Sequence, residues 1–304
     1  MPGSASIGDV LPLDSSNEAL LDRLRLRDRS LDLARPIVMG ILNRTTDSFY
    51  DKGSYFDFDL FLQKADSLVT AGADILDIGG VKAGPGEEIT LEAELERVVP
   101  AVEAIASRLD VAISVDTWRS EVLDAVLTAG AHLGNDISGF GDREYTRVAA
   151  RHGAGVVATH IRLKPRVPDP NPIYDDLVTD VRDFLSQRVE QALADGVDPA
   201  SIVIDAGFDL GKTTTQSLVL LRETKELVAT GYPVLVSASN KGFLGEALGL
   251  EIGQRRLASI AAASFAMIQG ASIFRVHDVL GTVKALDTIA ALRGDRIHAT
   301  SLES

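Results

Sequence analysis

The chain has 304 residues, 45% hydrophobic and 24% charged, enough to bury a large core as one barrel-sized domain or two smaller ones. A formal net charge of −14 argues against nucleic acid or an anionic membrane as partner, because phosphate groups repel such a surface. There is no cysteine, which removes disulfides, thiolate nucleophiles and Cys-ligated zinc; with no run of about 18 apolar residues and no signal pattern, the cytoplasm is the expected location.

Residues 1–35 read as an appendage. Residues 1–17 are rich in small and polar types, and Glu18–Arg29 alternates Leu with Asp and Arg, which suits a short helix or strand pair over a barrel end. From Pro36 a strand–helix cycle begins. Ile37–Leu42 is a buried strand, followed by a loop over 43–57 and a helix over 59–70. Ile75–Ile78 is the next strand, and 91–109 a helix with Pro100 predicting a kink or break. The strand Val111–Val115 runs into Asp116; a helix over 120–129 and a short strand ending at Asn135-Asp136 follow. Next come a helix over 143–151, the strand Gly155–Thr159 ending at His160, a Pro-rich loop and a helix over 175–194. The strand Ile202–Ile204, a helix over 213–229, the strand Val234–Val236 and an Ala-rich helix over 254–269 lead to the strand Ile273–Val276 and a helix over 281–292. Gly-Ala turns before four strands (Gly72, Gly130, Gly153, Gly270) fit helix C-caps.

Eight strands alternating with eight helices predict a single α/β domain over residues 36–304, a (β/α)8 TIM barrel carrying the N-terminal appendage. An open doubly wound sheet is the alternative if the strand count is off by one.

The most informative stretch is Ser201–Lys212. An apolar run ends in Asp205, a Gly-rich turn follows, and Lys212 precedes three threonines that open a helix. It is not a P-loop: that motif needs four residues between its glycine and Gly-Lys-Thr, and Gly207 and Gly211 are separated by Phe208, Asp209 and Leu210 alone. In a barrel the chemistry gathers at the C-terminal strand ends. Those ends carry Asn43, Asp77, Asp116, Asn135, Asp136, His160, Asp205, Ser239, Lys241, Arg275, His277 and Asp278. Singly each has a plain reading: Asp77 before Gly-Gly is a turn former, His160 a core residue or a pocket wall, and Lys212 a solvated helix-start lysine. Together, two carboxylates and an amide suit the edge of an aminopyrimidine-like heterocycle, while Lys241, Arg275 and His277 suit a ring carbonyl or a phosphate. Residue chemistry alone stops at a barrel enzyme acting on a heterocycle or a phosphorylated substrate.

The wording of the motifs goes further. Met39–Phe49 resembles the first signature of the dihydropteroate synthases, M-G-I/V-L/V-N-V-T-P-D-S-F. Asp77-Ile78-Gly79-Gly80, Ser114-Val115-Asp116-Thr117 and Asn135-Asp136-Ile137-Ser138-Gly139 are similar to further signatures. Asp205–Lys212 resembles D-P-G-x-G-F-G-K, Ser239–Gly245 resembles S-R-K-x-F-L-G, and Arg275–Asp278 matches R-V-H-D. The resemblance runs from about residue 36 to the C-terminus. It implies an enzyme joining p-aminobenzoate to dihydropterin-CH2-pyrophosphate with Mg2+. On that basis Asp116, Asn135, Asp205 and Lys241 would hold the pterin, and Asn43 would meet the metal and the pyrophosphate. Arg275 and His277 would bind phosphate, Ser239 would touch the p-aminobenzoate carboxylate, and Asp47 would stabilise the cationic carbon. Sulfa-type analogues of p-aminobenzoate are implied ligands too. The resemblance and the small, apolar helix Ala258–Ala271 imply a homodimer.

The departures are concentrated. Where the family reads E-S-T-R-P-G, this chain has Val81-Lys82-Ala83-Gly84-Pro85-Gly86, without the hydroxyl and the guanidinium. Asn240 stands for Arg, Leu210 for Phe, and Ala206 and Asp209 for Pro and Gly; Asp209 adds negative charge near an anionic substrate. Arg44 and Thr46 also differ. The pattern resembles a divergent second paralogue with weak or absent synthase activity. A working synthase is the alternative, and another pterin-barrel reaction such as methyl transfer is a third reading.

Overall fold

The short β-branched runs and the helices between them close into a barrel in the computed structural model, which describes residues 22–44, 54–81 and 89–295. The barrel strands are β3 (Ile37–Asn43), β4 (Ile75–Gly79), β5 (Ala112–Asp116), β6 (Leu133–Asp136), β7 (Gly155–Thr159), β8 (Ile202–Asp205), β9 (Val234–Val236) and β10 (Ile273–Val276). Every neighbouring pair is parallel, and β10 bonds both β9 and β3, so no edge is left. That closure excludes the doubly wound alternative.

Side chains alternate across a strand, and the two sides of the barrel wall differ in kind. Val38, Leu76, Ile113, Val156, Ile202, Val234 and Phe274 belong to the large outer core against the helices. The alternate residues Met39, Ile75, Ala112, Leu133, Val157, Val203, Leu235 and Ile273 form a separate inner layer. Two residues further along their strands, on the same inner side, stand Asp77, Ser114, Asn135, Asp205 and Arg275. The barrel is therefore apolar below and polar above.

Ahead of the barrel, β1 (Arg23–Leu26) and β2 (Arg29–Asp32) pair as an antiparallel hairpin with a two-residue turn. Its Leu24 and Leu26 are fully buried and join the inner apolar layer. The hairpin thus plugs the N-terminal end of the barrel, away from the mouth; each leucine contributes roughly 1.5–3 kcal/mol of burial.

The helices are α1 (Ser54–Thr70), α2 (Leu91–Ala106), α3 (Ser120–Thr128), α4 (Glu144–His152), α5 (Leu177–Ala194), α6 (Thr214–Arg222), α7 (Thr224–Val228), α8 (Gly242–Leu248), α9 (Arg256–Ile268) and α10 (Val279–Arg293). Helix α2 continues through Pro100 rather than breaking there; Pro100 is exposed, so the carbonyl it leaves free can face water. The single helix expected over 213–229 divides at Glu223 into α6 and α7. Helix α8 was hidden by the glycine at its start. The Gly-Ala turns behave as expected, with φ of 100°, 114°, 62° and 100° at Gly72, Gly130, Gly153 and Gly270. Among the described residues no helix is long and apolar enough to cross a membrane.

Candidate active site

The polar layer is organised by Arg275, which rises on β10 into the barrel. Its Nε donates to Asp77 Oδ2 at 2.6 Å and its Nη2 to Asp116 Oδ2 at 2.9 Å. Asp77 is fully buried and also accepts from Ser114 Oγ at 2.5 Å and from Asn135 Nδ2 at 3.3 Å. The expectation that Asp77 merely forms a turn is therefore wrong: its position two residues after Ile75 aims it inward, and buried carboxylates need partners. Burial works against the Arg275 charge, but Asp77 and Asp116 more than restore it and raise its pKa. Burial raises the Asp116 carboxyl to about 7, opposed by Arg275 and reinforced by Asp77.

On the neighbouring strands, Asp205 ends β8, and its Oδ1 accepts the Gly207 N–H at 2.7 Å. Burial raises its pKa, countered by that amide and by Lys241. Lys241 precedes α8 and donates from Nζ to the Phe208 carbonyl at 3.0 Å; burial lowers its pKa, with Asp209 and Asp205 opposing. The turn between them leaves no room for a side chain at Gly207, where φ is 65° and an added Cβ would lie 2.0 Å from the His160 carbonyl oxygen.

Two expectations about this turn change. Lys212 is not a solvated helix-start lysine but is 7% exposed, donating to His160 Nδ1 at 2.8 Å, Gly207 O at 2.9 Å and Leu210 O at 3.1 Å. It staples the turn to the end of β7; burial lowers its pKa to about 7. His160 is a core residue, packed edge-on against Phe184 with ring centroids 4.8 Å apart, and burial and then Lys212 lower its pKa to about 3. The Asp209 carboxylate is engaged locally: Oδ2 accepts from the first amide of α8, Gly242 N, at 2.6 Å. Asp136 is likewise structural, accepting from Ser138 N at 2.6 Å and Phe140 N at 2.8 Å. Asp278 caps α10 through Gly281 N at 3.1 Å.

At the rim, Ser239 Oγ accepts the His277 N–H at 3.1 Å and lies 3.0 Å from His277 Nδ1. Burial and then Arg275 lower His277 to about 4, so its ring is neutral, and the ring and the seryl hydroxyl share one hydrogen bond whose direction follows the tautomer. The exposed Asn43 ends β3, its Oδ1 lying 2.9 Å from where a Cβ on Gly79 would be, so glycine there makes room for the amide. Arg44 turns outward, with its guanidinium 4.8 Å over the Phe58 ring and an Nη1 contact to the Arg97 carbonyl. Asn240 is in the left-handed region at φ 58°; its N–H donates to Ser259 Oγ and its carbonyl accepts from Arg255. The backbone is thus pinned there while the side chain brings no cation. Buried Glu94 binds Thr117 at 2.6 Å and Arg119 at 2.7 Å, and Arg119 reaches the Ile89 carbonyl at 2.6 Å. Asp47, Thr46, Lys82, Ala83 and Gly84 lie outside the described residues.

The structure thus brings Asp116, Asn135, Asp205, Lys241 and Arg275 to one inner layer, with Ser239, His277 and Asn43 at its rim. Beside Lys241 a cavity of about 280 Å3 is lined by Lys212, Asp209, Leu210 and the loop from Ile161 to Asp169. Among the described residues no cluster of three His, Asp or Glu side chains could hold a metal. Asp77 and Asp116 are committed to Arg275, and the exposed Asn43 carries an amide oxygen, a neutral, hard donor. That suits Mg2+, which keeps several waters and takes few protein ligands when phosphates supply the rest.

The family model described as pterin binding enzyme matches residues 39–277. A protein of Mycobacterium leprae named inactive dihydropteroate synthase 2 is 42% identical over 268 residues, 86% of this chain and 92% of that one. The dihydropteroate synthase of Haemophilus influenzae is 37% identical over 261 residues, 86% of this chain and 95% of its own length. Among solved structures, a Yersinia pestis dihydropteroate synthase in a sulfonamide drug complex superposes with a TM-score of 0.84 at 41% identity, covering 90% of this chain and all of that one.

Proposed function

Because the chain belongs to the pterin-binding enzyme family, among the dihydropteroate synthases and their inactive paralogues, we propose that it binds a pterin or pterin pyrophosphate at the barrel mouth and has weak or no synthase activity. The observation that carries the binding half is the buried layer itself. Asp116, Asn135, Asp205 and Lys241 place buried or half-buried acceptors and donors in one layer, of the types that the edge of a flat aminopyrimidine ring takes. Asp116 and Asp205 accept from ring N–H groups, the Asn135 amide both donates and accepts, and Lys241 donates to the ring carbonyl. Arg275 keeps Asp116 oriented and, with His277, meets phosphate oxygens. Ser239 meets the p-aminobenzoate carboxylate, or its counterpart in a sulfa-type analogue, and Asp47, matched by the family resemblance alone, stabilises the cationic carbon.

In the synthase reaction the p-aminobenzoate amine attacks the pterin methylene while pyrophosphate departs. This chain's part is to position the amine and to meet the charge of the leaving group. Asn43 would hold Mg2+ when it is bound, and the ion would supply positive charge to the leaving group. Impairment follows from what is missing around it. Asn240 offers no cation at the rim, and Ala83 and Gly84 stand where the family places Thr and Arg. Each lost charge-assisted contact removes roughly 1.5–3 kcal/mol, about 10- to 150-fold. Lys82, two positions from the missing guanidinium, is a compact ammonium and no substitute for its fork.

A working synthase is the second reading, favoured by the retention of Asp116, Asn135, Asp205 and Lys241. Calorimetric titration separates binding from chemistry. The unmodified protein binds pterin pyrophosphate, and Asp205→Asn weakens it by about 1.5–3 kcal/mol. Unchanged affinity in a folded Asp205→Asn variant rejects the placement.

A further inference from the structure

At the end of the barrel opposite the mouth, the turn of the β1–β2 hairpin overhangs a cavity of about 520 Å3. Its lining includes the apolar Ala106, Leu109 and Val111 and the charged or polar Arg27, Asp28, Arg29 and His132. None of these groups belongs to the site at the mouth.

Proton accounting at His132 shows what the cavity lacks. The ring is buried, 7% exposed, and Nδ1 lies 3.1 Å from the Ile113 N–H. Ile113 is fully buried, so its amide has no water to turn to, and Nδ1 must be the accepting nitrogen. Burial and the two nearby arginines keep the ring neutral, with its pKa lowered to about 4. A neutral imidazole has one proton, which this bond assigns to Nε2. Yet Nε2 lies 3.1 Å from Arg29 Nε, which is always a donor. Two N–H groups therefore face one another with no acceptor between them. The nearby Asp28 carboxylate is 3.6 Å from Nε2, and its side chain is 83% exposed. Asp110 holds Arg29 Nη1 at 2.8 Å, and the Leu127 and Ala131 carbonyls hold Arg27 Nη1 at 2.7 and 2.8 Å. Arg27 adopts φ 59°, a conformation glycine reaches more readily, yet the turn carries a guanidinium. A buried imidazole N–H facing the half-buried Arg29 guanidinium, with the exposed Arg27 beside them, calls for an anionic oxygen, and the apolar lining suits carbon attached to it.

We propose that this cavity binds a small organic anion, a phosphate or carboxylate carried on an apolar body. The anionic oxygen takes the His132 Nε2–H and Arg29 Nε–H, the body lies along Leu109 and Val111, and Asp28 is the rim counter-charge that the ligand displaces.

The test titrates the full chain with phenyl phosphate, benzoate and inorganic phosphate while following assigned histidine ring signals. His132 marks this cavity; His160 and His277 mark the mouth. Phenyl phosphate or benzoate moves the His132 signals saturably, the stronger of the two identifying the head group, and inorganic phosphate binds more weakly. Arg29→Met abolishes the His132 response. Asp28 is exposed, so Asp28→Asn leaves the fold intact whatever becomes of the arginine variant, and it tightens the response roughly two- to five-fold, the range of an exposed charge contact. The proposal is overturned if only His160 and His277 respond or if no ligand saturates His132 at millimolar concentration. A folded Arg29→Met variant that still responds, an Asp28→Asn variant that binds no tighter, or inorganic phosphate binding as well as the organic anions also overturns it.

Discussion

Arg275 and Asp77 lie 198 residues apart in sequence and meet at 2.6 Å inside the barrel, each nearly or fully buried. The guanidinium also holds Asp116, so one cation neutralises two carboxylates brought together by β4 and β5. Arg275→Met would leave both carboxylates buried with their main counter-charge gone. Breaking a buried pair in this way costs about 3–5 kcal/mol, and urea unfolding of the variant reads that loss. A change within about 0.5 kcal/mol, the usual size of a surface effect, would show that the pair is not needed.

His160 gives the chain a pH-dependent increment of known sign. Its ring accepts from Lys212 and is held near 3, while an unfolded histidine titrates near 6.5. The unfolded state then binds the extra proton, so the increment is present above about 6.5 and is lost as pH falls toward 3. Asp116 and Asp136, with pKa values raised to about 7 and about 6, act in the opposite direction, so the whole-protein profile mixes the two. The stability gap between the natural chain and His160→Asn isolates the histidine. It narrows by about 2 kcal/mol between pH 7 and pH 5; a constant gap in urea titrations contradicts the assignment.

Restoring the missing charge should restore chemistry. Asn240 is held by its backbone to Ser259 and Arg255, so its side chain can change with little disturbance beyond about 1 kcal/mol for a bulkier residue in the left-handed region. Ala83→Thr, Gly84→Arg and Asn240→Arg, made together, raise synthase turnover above that of the unmodified chain. A triple variant that binds both substrates and stays as slow as its parent places the defect elsewhere.

The small-residue helix α9 leaves Leu257, Phe265 and Ile268 exposed by 72%, 40% and 61% on one stripe. We propose that a second copy covers this face. Light scattering at tens of micromolar finds a dimer, and Phe265→Glu with Ile268→Glu gives a monomer. A monomeric natural chain refutes the pairing.

The barrel was legible because its strands are short β-branched runs at regular spacing, each followed by a helix-period segment and four of them preceded by a Gly-Ala turn. The motifs at Asp116, Asn135, Asp205, Lys241 and Arg275 were legible as strand ends. Asp77 was misread because Gly79-Gly80 drew attention to the turn, although counting by two from Ile75 would have aimed it inward. Lys212 was misread for another reason. Whether a charged group near a helix start meets water, a carbonyl or the amides of a later helix depends on contacts tens of residues away, as with Lys212 to His160 and Asp209 to Gly242. Local sequence does not carry that information.

On the proposed function, the pterin pocket persists while the synthase step is impaired. A single-turnover experiment tests it most directly: protein saturated with dihydropterin pyrophosphate is mixed with p-aminobenzoate and Mg2+, and retained pterin and dihydropteroate formed are measured in the same sample. About one pterin retained per chain and little or no dihydropteroate is the expected outcome. Rapid, stoichiometric conversion, or no retained pterin at all, would contradict it.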